Sequence, residues 1–164
     1  MKGLRSAALI LALALGAATA ANAQIGIPVG SDAPGAAVHE LDGTPTDISK
    51  YIGKSPVMIE FWATWCPVCK KLEPKMLDLA KRYGSQVKFL GVAVSVNESP
   101  KRVKLYAEKY HYPYDLVFDT DGNAVTAYDV PATSYIVLID GSGKVVYTGQ
   151  GEDQDLEAAL KKVI

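Results

Sequence analysis

The sequence predicts an α/β fold with a mixed central sheet flanked by helices, and three observations predict it. Short apolar runs rich in β-branched and aromatic residues alternate with stretches of helical periodicity. Two of those runs, "SPVMIEFWA" and "QVKFLGVAVSV", are apolar almost throughout, as strands covered on both faces are. The chain closes with two strands about a Gly-Ser-Gly turn and a last amphipathic stretch, which adds antiparallel pairing to the alternating part.

The elements follow in order. Residues 24–36, "QIGIPVGSDAPGA", are rich in Gly and Pro and read as an irregular lead-in to a domain over 37–164. "AVHELDG" alternates and ends in a turn signal, so it reads as a short strand; "TDISKYIGK" reads as a single helical turn or a bridge. After the buried strand "SPVMIEFWA", the stretch "PVCKKLEPKMLDLAKRYG" is helical. Leu72, Met76, Leu79 and Ala80 share a face, Pro67 suits the first turn, and Gly84 stands where the helix should stop. Pro74 lies inside this helix and should kink it. "QVKFLGVAVSV" is the second buried strand. Ser99 and Pro100 open a helix over "SPKRVKLYAEKYH". "DLVFDTDGNAVTAYDV" holds a strand, a turn at Asp121-Gly122 and one short helix. "SYIVLIDGSGKVVYTGQG" is the hairpin, and "EDQDLEAALKKVI" is a final helix, acidic first and basic last.

The first 23 residues stand apart. Lys2 and Arg5 precede an apolar stretch from Ala7 to Leu15, and small residues end in Ala21-Asn22-Ala23, the three-part pattern of a cleaved signal peptide. The apolar stretch is shorter than the roughly 20 residues of a spanning helix. No cysteine follows it to carry a lipid, so stable membrane insertion after cleavage is not expected. The chain has 164 residues, 49% apolar, with 17 Lys and Arg against 18 Asp and Glu. Loss of Lys2 and Arg5 leaves it mildly acidic. That balance suits one globular domain and argues against binding nucleic acid or a membrane surface.

The chemistry concentrates in "MIEFWATWCPVCK", which holds both cysteines, Cys66 and Cys69. An exported protein meets an oxidising compartment. A bridge over three residues closes a tiny loop and removes little chain entropy, so stapling is a poor reason for this pair. Cys66 sits where a strand ends and a helix begins, at unpaired N–H groups and the positive end of the helix dipole, both of which favour a thiolate. It should be the reachable nucleophile. Cys69, one turn on, is placed to attack a mixed disulfide formed by Cys66.

These residues resemble the thioredoxin superfamily. "EFWATWCPVCK" matches its strand-to-helix motif, and Pro74 falls where that family kinks its first active-site helix. The signal peptide, the "FWATWC" wording, the helix-bearing segment 97–114 and the "LIDGSGKVV" hairpin are most similar to the exported TlpA/ResA-like branch. The resemblance covers about residues 30 to 164. It implies a thioredoxin fold with a helix-bearing insertion and thiol–disulfide exchange with protein substrates. It further implies no cofactor beyond the Cys66–Cys69 pair, a membrane-borne electron donor, periplasmic location and a monomer. Reduction is the expected direction, and cytochrome c maturation is one job of the branch.

The resemblance also assigns Glu60, six residues before Cys66, to the buried acid that helps move the Cys69 proton, with its pKa raised by burial. The competing reading is a strand residue facing solvent or paired with lysine. Trp62 and Trp65 read as core and rim packing beside the site, with an aromatic lip for a partner as the second reading of Trp65, and Pro67 is an expected determinant of exposure and redox poise. One departure stands out. The family carries a cis-proline facing the cysteines. Tyr128 and Val130 on one side, and Asp140 and Gly143 on the other, place Ser134 at that position, preceded by Thr133, and leave Pro131 three residues upstream. A cis Thr133–Ser134 bond would cost about 3–4 kcal/mol, so trans is expected. The Ser134 hydroxyl is then available to a thiolate, and Thr133 and Ser134 to a substrate backbone.

Other candidates read as structural. His39 and His111 are ordinary strand or loop residues, and "YHYPY" (110–114) is packing at a helix-to-strand turn. Asp119, Asp121 and Asn123 form a turn without the downstream Glu of a calcium loop. A competing function is a copper carrier using the two thiolates and His111. The short cysteine spacing, and the lack of a reason for His111 to approach Cys66, weigh against it, so no metal is expected. A thiol peroxidase fails because Thr64 is two, not three, residues before Cys66.

Overall fold

The computed structural model describes residues 25–164, so the signal-peptide reading of residues 1–23 lies outside the described residues. Seven strands form one mixed sheet in the order β2-β1-β5-β4-β3-β6-β7. They are β1 (Ala37–Glu40), β2 (Pro45–Asp47), β3 (Val57–Trp62), β4 (Lys88–Val94), β5 (Asp115–Asp119), β6 (Tyr135–Ile139) and β7 (Val145–Gln150). The helices are α1 (Pro67–Tyr83), α2 (Pro100–Tyr110), α3 (Asn123–Ala127) and α4 (Leu156–Leu160). β3, β4 and β5 run parallel, while β6 pairs antiparallel with β3 and β7 antiparallel with β6.

All six residues of β3 are buried, as the unbroken apolar run requires at the centre of a sheet covered on both sides. Alternation sorts them between two cores. Val57, Ile59 and Phe61 join Ile48, Tyr128 and Tyr135 on one face. On the other face Met58 meets Leu72, Met76 and Leu79 of α1, and Trp62 lies with Cys66, Cys69, Val103 and Leu116. Glu60 shares that second face, midway between Met58 and Trp62.

Helix α1 buries Leu72, Met76, Leu79 and Ala80 as the periodicity predicts, and it runs through Pro74, whose nitrogen cannot donate to the carbonyl four residues back. Ser99 caps α2 by accepting the Arg102 N–H at 3.3 Å, with Pro100 in the first turn. Asp119 is a cap too, accepting the N–H groups of Ala124 and Val125 at 3.2 and 2.9 Å.

Two expectations hold with detail added. "TDISKYIGK" is neither one helical turn nor a bridge alone. β2 pairs with β1, and a 3-10 turn over Ile48–Tyr51 follows, capped by the Asp47 side chain. The lead-in is irregular but docked. Gly30 N–H donates to the Val145 carbonyl, Val145 N–H to Ser31, and Ala33 N–H to Gly143, so it runs along the hairpin.

Candidate active site

The site forms where β3 ends. Ala63, Thr64 and Trp65 carry the chain over the sheet edge, and Cys66 caps α1 with an extended backbone (φ −75°, ψ 115°). Its Sγ accepts the N–H of Cys69 at 3.0 Å, an orphan donor of the first helical turn. Pro67 follows, exposed, at a position where a missing N–H costs nothing. Cys66 and Cys69 are joined as a disulfide, with Cα atoms 5.3 Å apart. The hydrogen bond and dipole that serve the Cys66 sulfur in this oxidised form are the ones that would hold it as a thiolate once reduced.

One expectation about the sulfur is not met in this form. Cys66 retains only 2% of its surface and Cys69 4%, so the bridge lies among Trp62, Ala93, Val94 and Val103 rather than open to solvent. Exposure beside it belongs to Trp65, at 43%. The Trp65 indole N–H donates to the Val96 carbonyl at 2.8 Å, which pins the ring. Trp65, Val94, Val96, Val130 and Thr133 line an apolar groove of about 280 Å³.

The turn is braced by a residue the sequence did not single out. Glu98 has a fully buried side chain. One of its oxygens accepts both the N–H and the hydroxyl of Thr64, at 2.8 and 2.5 Å; the other accepts the N–H of Ser99 at 2.9 Å and lies 3.4 Å from the Arg102 guanidinium. A Glu directly before the Ser-Pro cap of α2 was the only available signal.

In the loop before β6, Thr133–Ser134 is trans, since no peptide bond among the described residues is cis. Ser134 instead adopts the left-handed region (φ 66°), which non-glycine residues seldom enter. Its N–H donates to the Phe61 carbonyl at 2.8 Å. The hydroxyl foreseen as a thiolate donor is engaged elsewhere, by the Gly151 carbonyl at 3.4 Å. Thr133 is half-buried on the groove wall.

Glu60 is neither solvent-facing nor paired with lysine: it is 3% exposed, and no described group hydrogen-bonds its carboxyl. Burial pushes its pKa up to about 8, with a further push from Glu73. Glu73, on α1, accepts the Tyr112 hydroxyl at 2.7 Å. Tyr112 stacks on Trp62 with centroids 5.3 Å apart, and Tyr106 and Tyr114 complete an aromatic wall. "YHYPY" therefore packs as read, but against Trp62 and the Glu73 carboxylate, an arrangement no local pattern announced.

Among the described residues no three His, Cys, Asp or Glu converge as metal ligands. His111 caps α2 in the left-handed region and lines a separate cleft with Asp42 and Glu108. His39 lies 3.0 Å from the Thr120 hydroxyl.

Known proteins match this arrangement. Residues 28–164 match the family model described as Redoxin. The chain is 33% identical over 161 residues to thiol-disulfide oxidoreductase ResA of Geobacillus thermodenitrificans, covering 94% of this chain and 91% of that one. It is 38% identical over 120 residues to ResA of Bacillus subtilis, covering 73% of this chain and 66% of that protein. Among solved structures, the thioredoxin domain of a thiol-disulfide oxidoreductase from Bacteroides vulgatus superposes with a TM-score of 0.72 at 22% identity, covering 84% of this chain and 99% of that domain. A thioredoxin-family thiol:disulfide interchange protein from Chlorobium tepidum superposes at 0.68 with 26% identity, covering 82% and 96%.

Proposed function

The chain belongs to the redoxin family as a thiol–disulfide oxidoreductase, and from that premise we propose that it reduces protein disulfides in the periplasm after its leader is removed. The observation that carries the reading is the Cys66–Cys69 bridge at the mouth of α1, with the Cys66 sulfur receiving the Cys69 N–H at 3.0 Å. In the dithiol form Cys66 thiolate attacks a disulfide of the partner, which breaks that bond and forms a mixed disulfide. One partner thiolate leaves and takes up a proton. Glu60, as carboxylate, takes the proton of Cys69, whose thiolate attacks Cys66 and releases the second partner thiolate. A membrane-borne dithiol donor restores the pair.

Partner recognition falls to Trp65, Pro67 and Thr133, whereas Ser134 is fully buried with its N–H, hydroxyl and carbonyl all engaged within the protein. The groove beside Trp65 is almost wholly apolar, so it suits an extended substrate segment with a large apolar side chain near its cysteine. Polypeptides whose cysteines must be reduced before haem attachment, as in cytochrome c maturation, are the proposed substrates. The protein acts as a monomer and uses no cofactor beyond its two cysteines.

Cys66→Ser is expected to abolish reduction of a protein disulfide, and Cys69→Ser to accumulate the mixed disulfide on a non-reducing gel. Turnover retained in Cys66→Ser would end the reading. The reduction potential of the pair tests direction. A value near about −270 mV marks a reductant, and one near about −120 mV an oxidant.

A further inference from the structure

The reaction leaves a difficulty on the far side of Glu60. Each resolving step loads a proton on a carboxyl that is buried in the sheet, and the bridge it serves is itself covered. The proton must leave before the next cycle.

On the face that carries Glu60, Trp62, Tyr112 and Tyr114 form a ring cluster that brings polar atoms into the interior. Glu60 is paired in register with Gly91 of β4. Gly91 has no side chain, and a methyl group there would come within 2.9 Å of the Trp62 indole nitrogen. The indole N–H therefore lies over the neighbouring strand, at the position that pairs with Glu60. That N–H is buried without a protein partner, and so is the hydroxyl of Tyr114. Buried donors of this kind are normally satisfied by an internal water. Tyr114 packs on Tyr112 with ring centroids 5.3 Å apart, and the Tyr112 hydroxyl donates to Glu73 at 2.7 Å. Glu73, unlike Glu60, is only half-buried on α1.

We propose that the Tyr112–Glu73 pair is the outlet through which Glu60 exchanges its proton with solvent, by way of a water held between the Trp62 indole N–H and the Tyr114 hydroxyl. Glu73 and Tyr112 are thus positioning residues for the resolving step, an assignment that rests on the proposed role of Glu60. The proton released by Cys69 passes from Glu60 to the water, and from the water through the Tyr112 hydroxyl to Glu73 and out. No electron moves on this branch.

The groups facing Glu60 are few. α1 brings Glu73, α2 brings Tyr106, and the turn after it brings Tyr112 and Tyr114; β4 and β6 bring Gly91 and Ile136 as its register partners. No described cation is among them, so the charge of Glu73 is the strongest external influence on the buried carboxyl.

The test is the pH profile of mixed-disulfide resolution by the whole mature protein, with a carboxyl-labelled NMR titration of Glu60 alongside. Glu73→Gln removes a like charge and should move both midpoints to lower pH by about one unit. Tyr112→Phe keeps the ring on Trp62 and loses only the hydroxyl. It should slow resolution about tenfold while leaving the equilibrium reduction potential unchanged, since a relay alters a rate and not an equilibrium. Midpoints unmoved in Glu73→Gln together with an undiminished rate in Tyr112→Phe overturn the outlet. Glu60→Gln separates the two readings. Loss of the inflection in that variant keeps Glu60 in its role whatever happens to the outlet, whereas an unchanged profile removes the role itself.

Discussion

Ser134 concentrates the difference between this chain and the pattern it resembles. Its N–H is used, to the Phe61 carbonyl, and its φ of 66° is one that proline, held near −65°, cannot adopt. Installing the expected proline here therefore removes a backbone hydrogen bond and forces the loop to rebuild. Ser134→Pro should lose about 3 kcal/mol or more, read as a lower urea midpoint. An unchanged midpoint would mean that the loop reaches a proline-compatible form at no cost. The position of this departure was legible in the sequence by counting from Tyr128 and Asp140. The left-handed backbone was not, because serine carries no preference for it that local sequence reports.

At the scale of elements, the turn before α1 and the start of α2 depend on each other through Glu98. Ser99 and Pro100 are a legible helix start, and α2 begins there. What the cap motif does not state is that the residue before it reaches across to Thr64, 34 positions earlier, and holds the loop that presents Cys66. Truncation to Ala would leave the Thr64 N–H and hydroxyl and the Ser99 N–H without their acceptor in a buried place. Glu98→Ala should therefore cost about 3 kcal/mol in chemical denaturation. It should also raise the alkylation rate of reduced Cys66 as the turn loosens. A loss under about 1 kcal/mol would show that water replaces the carboxylate.

For the molecule as a whole, Glu60 is a stability cost kept at the centre of the sheet. Its folded pKa of about 8 lies above the ordinary 4.5, so the folded chain binds this proton more tightly than the unfolded chain does. The penalty is absent below pH 4.5, grows as pH rises from 4.5 to 8, and is complete above 8. Its ceiling is on the order of 4–5 kcal/mol. Glu60→Gln should therefore raise the thermal midpoint at pH 8.5 by several degrees and change it little at pH 4.5, measured by circular dichroism. Equal shifts at both pH values would contradict a buried, proton-holding carboxyl. The sequence by itself determined the alternation of strands and helices, the caps at Pro67 and Ser99, and the place of Cys66 at a helix mouth, because periodicity and capping act over a few residues. Only the tertiary structure decided that Glu60 lies beside Trp62 and near Glu73, that Tyr112 bonds a helix 39 residues away, that Glu98 braces Thr64, and that the disulfide is covered. Those outcomes follow from which faces meet when the sheet closes, and burial is a property of the packed layers that no stretch of the chain holds alone.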